Sequence, residues 1–189
     1  YLAALEKDPE LLEPLYNDAL TTLQILQSDA KSIMGHFSHY DENMLRGETD
    51  LFSDWFCLKE LGISFNKGEL SQWKDCVEIL LKSALNQPQV VVHRDFHSRN
   101  LIYRKLNNPG VLDFQDAVIG PITYDLVSLL RDCYISLPEK TIHQMLEIYY
   151  SNLDTSLKDR MSKKKFIRFF DLMGIQRHLK AVGIFARLK

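Results

Sequence analysis

The stretch Val90-Val91-Val92-His93-Arg94-Asp95-Phe96-His97-Ser98-Arg99-Asn100-Leu101-Ile102, followed after a turn by Val111-Leu112-Asp113-Phe114, decides how this chain is read. Gln89 to Val92 is a short β-branched run, and Leu101-Ile102-Tyr103 is a second apolar one. The turn signal Asn107-Asn108-Pro109-Gly110 leads into Val111-Leu112-Asp113. Three short strands with loops between them are predicted. Asp95 and Asn100 lie in the first loop in a D-x-x-x-x-N spacing, and Asp113 comes from the third strand.

Phosphoryl transfer needs groups of these kinds. An attacking alcohol must lose its proton, so a carboxylate has to sit beside it. Magnesium must neutralise the phosphates, and it prefers hard oxygen ligands. Protein kinases meet both needs with a catalytic-loop Asp and Asn and a further metal-binding Asp. The corresponding residues are Asp95 as base, with Asn100 and Asp113 as metal ligands. D-x-x-x-x-N alone is a weak signal, and its weight here comes from the strands and turn around it. The plain alternatives are a capping Asp95, a turn-forming Asn100 and an Asp113 that ends a strand. His93 closes an apolar strand and reads as a hydrogen-bonded structural histidine, since His93, Asp95 and His97 have no third nitrogen or sulfur ligand nearby. Asp116 reads equally as an assisting carboxylate or a solvated loop residue.

Helical spacing surrounds this insert. Asp8-Pro9 is an N-cap followed by proline at the first helical position, and Leu12, Leu15, Ala19, Leu23 and Leu26 extend a helix from about Pro9 to Asp29. Asp41 caps a second helix, with an apolar stripe from Met44 to Leu58 and Gly62 placed to end it in a left-handed turn. A third runs through Trp73, Val77, Leu80, Leu81 and Leu85 and stops before Pro88. After Pro121 helices return, over Tyr124 to Cys133, Glu139 to Asn152, and one or two more from Lys158 onward. The prediction is one α+β domain spanning residues 1–189, mostly helical with a small β insert.

Composition restricts the function classes. With 23 Lys+Arg against 25 Asp+Glu in 189 residues the formal net charge is -2, which gives no broad electrostatic reason to bind nucleic acid or anionic lipid. The basic run Lys163-Lys164-Lys165 with Arg168 reads as a solvated helix face. Cys57, Cys76 and Cys133 show no C-x-x-C spacing and read as reduced thiols. No signal peptide or membrane-crossing apolar run is seen, so a cytoplasmic location is expected.

On these motifs, together with Gly120-Pro121-Ile122-Thr123-Tyr124-Asp125, Leu51-Phe52-Ser53-Asp54-Trp55-Phe56 and Gln176-Arg177-His178-Leu179-Lys180, the chain resembles the aminoglycoside phosphotransferase and choline kinase superfamily. Within it, the text is most similar to the bacterial anomeric kinases of N-acetylmuramate and N-acetylglucosamine that serve cell-wall recycling. The resemblance implies a protein-kinase-like fold, ATP as donor, Mg2+ as cofactor and a sugar hydroxyl as acceptor. It also implies that Asp125 braces the catalytic loop and that Ile102 and Leu112 floor the adenine. No glycine-rich loop and no Val-Ala-Ile-Lys-like strand is present, so the chain is expected to be the large C-terminal lobe. The small nucleotide lobe would then precede Tyr1, and further family sequence would follow Lys189. For the acceptor, Arg131 and Asp132 are the expected contacts, with a helix-end ion pair as the alternative. A protein kinase is the nearest rival, but Gln115 follows Asp113-Phe114 where glycine would stand. A non-catalytic kinase-fold domain and a metal-dependent hydrolase are the others.

Overall fold

The computed structural model describes residues 1–29 and 34–189. In chain order the helices are α1 (Leu2–Lys7), α2 (Leu12–Asp29), α3 (Glu42–Leu51), α4 (Lys67–Leu85), α5 (Tyr124–Leu130), α6 (Glu139–Ser151), α7 (Thr155–Arg160) and α8 (Lys163–Arg187). The strands are β1 (Gln89–Val92), β2 (Leu101–Ile102), β3 (Gly110–Val111) and β4 (Val118–Pro121). Among the described residues no helix is long and apolar enough to cross a membrane.

Local signals set most element ends. Asp8 accepts from the Glu10 N–H at 3.1 Å and Pro9 opens a 3-10 turn ahead of α2. Asp41 accepts from the Met44 N–H at 2.9 Å, and Gly62 takes φ 68° after the helix, in the left-handed region that glycine enters without strain. The long second helix is broken in type, because α3 passes into a π-helical segment, Phe52–Glu60. That change falls where α8 presses in: a Cβ added to Gly183 would lie 2.4 Å from the Leu51 carbonyl carbon. Only a residue without a side chain allows α8 to approach the α3 backbone so closely. α4 begins earlier than its apolar stripe, at a capping box in which Asn66 accepts from Glu69 N–H while the Glu69 carboxylate accepts from Asn66 N–H.

The β insert has four strands where three were predicted. β1 pairs antiparallel with β4, Val91 opposite Ile119, and β2 pairs antiparallel with β3, Leu101 opposite Val111. The predicted third strand stops before Asp113, whose φ of 67° and ψ of 45° take it out of the extended region. α5 ends at Leu130 instead of Cys133, because Arg131 leaves helical geometry at φ -120° and ψ 49°. A single large core joins α2, α5, α6, α8 and β1, with Tyr16, Tyr124, Tyr149, Phe166 and Phe170 fully buried.

One buried carboxylate connects this core to the loop after β1. Asp125, in the first turn of α5, has no exposed surface and accepts from the His93 N–H at 2.6 Å and the Arg94 N–H at 2.9 Å. Burial pushes its pKa up to about 7 from an ordinary 3.8, although the two N–H donors pull it down. The folded state therefore holds a proton on Asp125 that the unfolded chain releases, and stability from this group falls as pH rises from about 4 to about 7. Asp125→Asn turns an NH2 toward one of the two backbone donors and leaves it unpaired. It should cost about 1–3 kcal/mol in thermal or denaturant melts. The variant should also lose this part of the pH dependence between pH 4 and 7. Unchanged stability and an unchanged pH profile would remove Asp125 as the brace.

Candidate active site

The loop from His93 to Asn100 is held at both ends and in the middle. At its start Asp125 fixes the first two N–H groups, and Arg94 is driven to φ 76°, a left-handed conformation that is strained for arginine. His93 is buried, and its Nδ1 accepts from the Asp95 N–H at 3.3 Å, which turns Asp95 outward. Burial lowers the His93 pKa, so the ring is neutral near pH 7. In mid-loop the Ser98 N–H donates to Asp132 at 3.0 Å. At its end the Asn100 side-chain amide donates to the Asp95 carbonyl at 3.1 Å, and Asn100 N–H donates to the His97 carbonyl at 2.9 Å.

This arrangement spends the nitrogen of the Asn100 amide and leaves its oxygen for another partner. Asp113 follows two residues after Val111 of β3, which pairs with β2 at the end of the loop, and Asp113 is exposed in its left-handed turn. Both Asp95 and Asp113 are close enough to the His93 ring to draw its pKa upward. An amide oxygen and one carboxylate suit magnesium, which keeps waters and substrate phosphates as its remaining ligands. They do not suit zinc, and among the described residues no group of three His, Cys, Asp or Glu could hold a metal ion. The hydrolase alternative built on His93, Asp95 and His97 loses its support here. Ile102, in β2, and Leu112, just after β3, are 46% and 48% exposed, an uncovered apolar surface.

On its other side Asp95 borders a cavity of about 190 Å³ shared with Arg94, His97, Tyr134, Arg177 and Lys180. His97 Nε2 stands 4.0 Å from the Asp95 carboxylate, and burial lowers the His97 pKa, so the two do not form an ion pair near neutral pH. Behind the cavity lies a buried polar cluster centred on Glu48 of α3. Its Oε1 accepts from Arg94 at 2.8 Å and from Lys180 at 2.9 Å, and its Oε2 from the Tyr40 hydroxyl and, at 3.3 Å, from Gln176. Burial opposes ionisation of Glu48, but Lys180, Tyr40 and Arg94 outweigh it and hold its carboxyl below the usual value. Lys180 also donates to the Tyr124 hydroxyl at 2.9 Å. Three elements, α3, the loop and α8, thus meet on one carboxylate, and α5 joins them through Lys180 and Tyr124.

The expected acceptor residues are placed differently. Arg131 makes a two-point ion pair with Glu139, at 2.8 and 3.2 Å, and lies over the Phe170 ring; it does not line the cavity. Both oxygens of Asp132 are taken by backbone donors, Ser98 N–H and Tyr134 N–H, each at 3.0 Å. The cations that do face Asp95 across the cavity are Arg177 and Lys180 of α8. Both stand in the Gln176-to-Lys180 stretch, as a cation pair at i, i+3.

The chain is 43% identical over 180 residues to an N-acetylmuramate/N-acetylglucosamine kinase of Pseudomonas aeruginosa, covering 95% of this chain and 51% of that protein. It is 42% identical over 172 residues to one from Pseudomonas putida, covering 90% of this chain and 49% of that protein. The chain thus spans about half the length of the curated relatives it matches. The crystallised complex of gentamicin with the aminoglycoside phosphotransferase APH(2'')-IIa shares the fold, with a TM-score of 0.52 at 20% identity over 93% of this chain and 61% of that one. The phosphotransferase enzyme family profile matches residues 18–160. The chain carries Asp95, Asn100 and Asp113 in an arrangement that suits phosphoryl transfer and, matched by that profile over most of its length, belongs to the phosphotransferase enzyme family.

Proposed function

We propose that this chain is the large lobe of an ATP-dependent kinase that phosphorylates the anomeric hydroxyl of N-acetylmuramate or N-acetylglucosamine, as the names of its relatives indicate. The observation that carries the reading is the position of Asp95. It stands between the oxygen pair Asn100/Asp113 on one side and, on the other, a half-enclosed cavity whose cations sit among apolar walls from Ala181, Ile184 and Phe185. In the proposed reaction the sugar oxygen attacks the γ-phosphorus, the bond to ADP breaks, and Asp95 takes the hydroxyl proton. Asn100 and Asp113 would hold Mg2+, which supplies neutralising charge to the phosphates. Ile102 and Leu112 would lie under the adenine, which accounts for their exposure on the β2–β3 hairpin.

His93 and Asp125 act on this chemistry through the backbone, by fixing where Asp95 points. Asp132 fits the same role better than a substrate contact, because its oxygens are already occupied. A sugar acceptor is favoured over a polycationic aminoglycoside because Arg177 and Lys180 would repel ammonium groups. ATP as donor and the reduced thiols fit a cytoplasmic location and a role in cell-wall recycling.

A coupled ATPase assay of the full-length protein against N-acetylglucosamine, N-acetylmuramate, choline and kanamycin tests the acceptor. Turnover is expected with the amino sugars, and activity confined to choline or kanamycin would overturn the sugar assignment. In the same protein Asp95→Asn should lower kcat by roughly 10²- to 10⁴-fold with nucleotide affinity retained. Asp113→Ala should abolish nucleotide-dependent Mg2+ binding in calorimetric titration. Magnesium dependence like that of the wild type would assign the ligand elsewhere.

A further inference from the structure

Arg177 is a buried cation with no ion-pair partner among the described residues, although the buried Asp125 is near enough to feel its charge. It is 7% exposed, and among the described residues no carboxylate lies within 4.0 Å of its guanidinium. Its one hydrogen-bonding contact is from Nη1 to Cys133 Sγ at 3.9 Å, a weak acceptor at long range. The neighbouring cations are satisfied otherwise, since Arg94 and Lys180 share Glu48. A guanidinium offers five N–H donors in a planar fork that matches a carboxylate, and burying it unpaired is costly. Arg177 lines the cavity at Asp95, as does His97, whose buried Nδ1 also lacks a hydrogen-bond partner. The cavity wall therefore holds spare donors and an excess of positive charge.

From this we infer that Arg177 is the specificity-determining residue for a carboxylate on the acceptor sugar. The inference rests on the reading of the cavity as the acceptor site. Of the two sugars in the relatives' names, N-acetylmuramate carries an ether-linked carboxylate and N-acetylglucosamine does not. Arg177 pairs with that carboxylate while the reacting hydroxyl faces Asp95. Nucleotide phosphate is the other anion at such a site, but Asn100, Asp113, Ile102 and Leu112 do not line this cavity. Lys180 and Arg94 are already paired with Glu48, and Arg177 is the cation of this wall left without an ion pair among the described residues.

The test reads binding rather than turnover. Calorimetric affinities of the full-length protein are compared for N-acetylmuramate and its methyl ester, which keeps the shape and removes the charge. The wild type should prefer the free acid by roughly ten- to a hundredfold, the worth of one charged hydrogen-bond pair. Arg177→Gln should abolish that preference, and Arg177→Lys should restore part of it. Equal wild-type affinities for acid and ester would overturn the inference. So would a preference that survives Arg177→Gln, or a loss in that variant that falls on ATP affinity instead. If Arg177→Gln melts below the assay temperature, the acid-to-ester ratio of the wild type and of Arg177→Lys decides. A protein that binds the acid selectively but transfers no phosphate to it keeps this inference and loses the reaction proposed above. Phosphorylation of both sugars without acid preference does the reverse.

Discussion

Two adjacent backbone N–H groups, those of His93 and Arg94, point at one carboxylate in the core, and the rest of the site depends on that convergence. A loop leaving a strand has to place its N–H groups somewhere, and a buried donor without an acceptor is costly. Asp125 provides two acceptor oxygens from the first turn of α5. The loop is then committed to a path that no sheet would impose, with Arg94 held at positive φ. His93, fixed in the core, turns Asp95 toward the cleft by accepting its N–H. The geometry of the candidate base thus follows from a buried residue of α5 that need never touch a substrate.

A second carboxylate, Glu48, does for the helices what Asp125 does for the loop. It collects Arg94, Lys180, Tyr40 and Gln176, so α3, α5 and α8 are placed relative to the loop by charged hydrogen bonds within the core. Such a cluster contributes through its completeness, because removing one partner leaves the others buried and unpaired. The same meeting of elements explains Gly183. α8 can bring Lys180 and Gln176 to Glu48 only by lying against the α3 backbone, and a side chain at Gly183 would collide with Leu51.

Electrostatically the two sides of Asp95 differ. Toward β2 and β3 the exposed groups are oxygens, Asn100 and Asp113, on an apolar hairpin. Toward α8 the lining groups are nitrogens, those of the largely buried Arg177 and Lys180, beside Tyr134 and a neutral His97. A carboxylate between an oxygen-bearing side and a cationic side is suited to a reaction in which negative charge moves from one side to the other.

Much of the fold was legible in the sequence because its signals are local. Asp8-Pro9, Asp41 and Gly62 act on their own helix ends, and the spacing of Asp95 and Asn100 is set within one loop. The capping box at Asn66 and Glu69 was equally local and marks α4 starting ahead of its apolar stripe. β4 was missed because its four residues become a strand only by pairing with β1 across the intervening loop and hairpin. The π-helical turn of Phe52–Glu60 depends on α8, which arrives far later in the chain. Arg131 and Asp132 were expected at the acceptor through nearness in sequence to the motif, yet Glu139 claims the one and two backbone N–H groups claim the other. Arg177 and Lys180 reach the cavity because α8 folds back over the loop. The sequence by itself determined which residue types stand in the loop and where most helices begin. Which cations face Asp95 was decided by tertiary structure alone, since helix packing sets the direction of a side chain that no local spacing encodes.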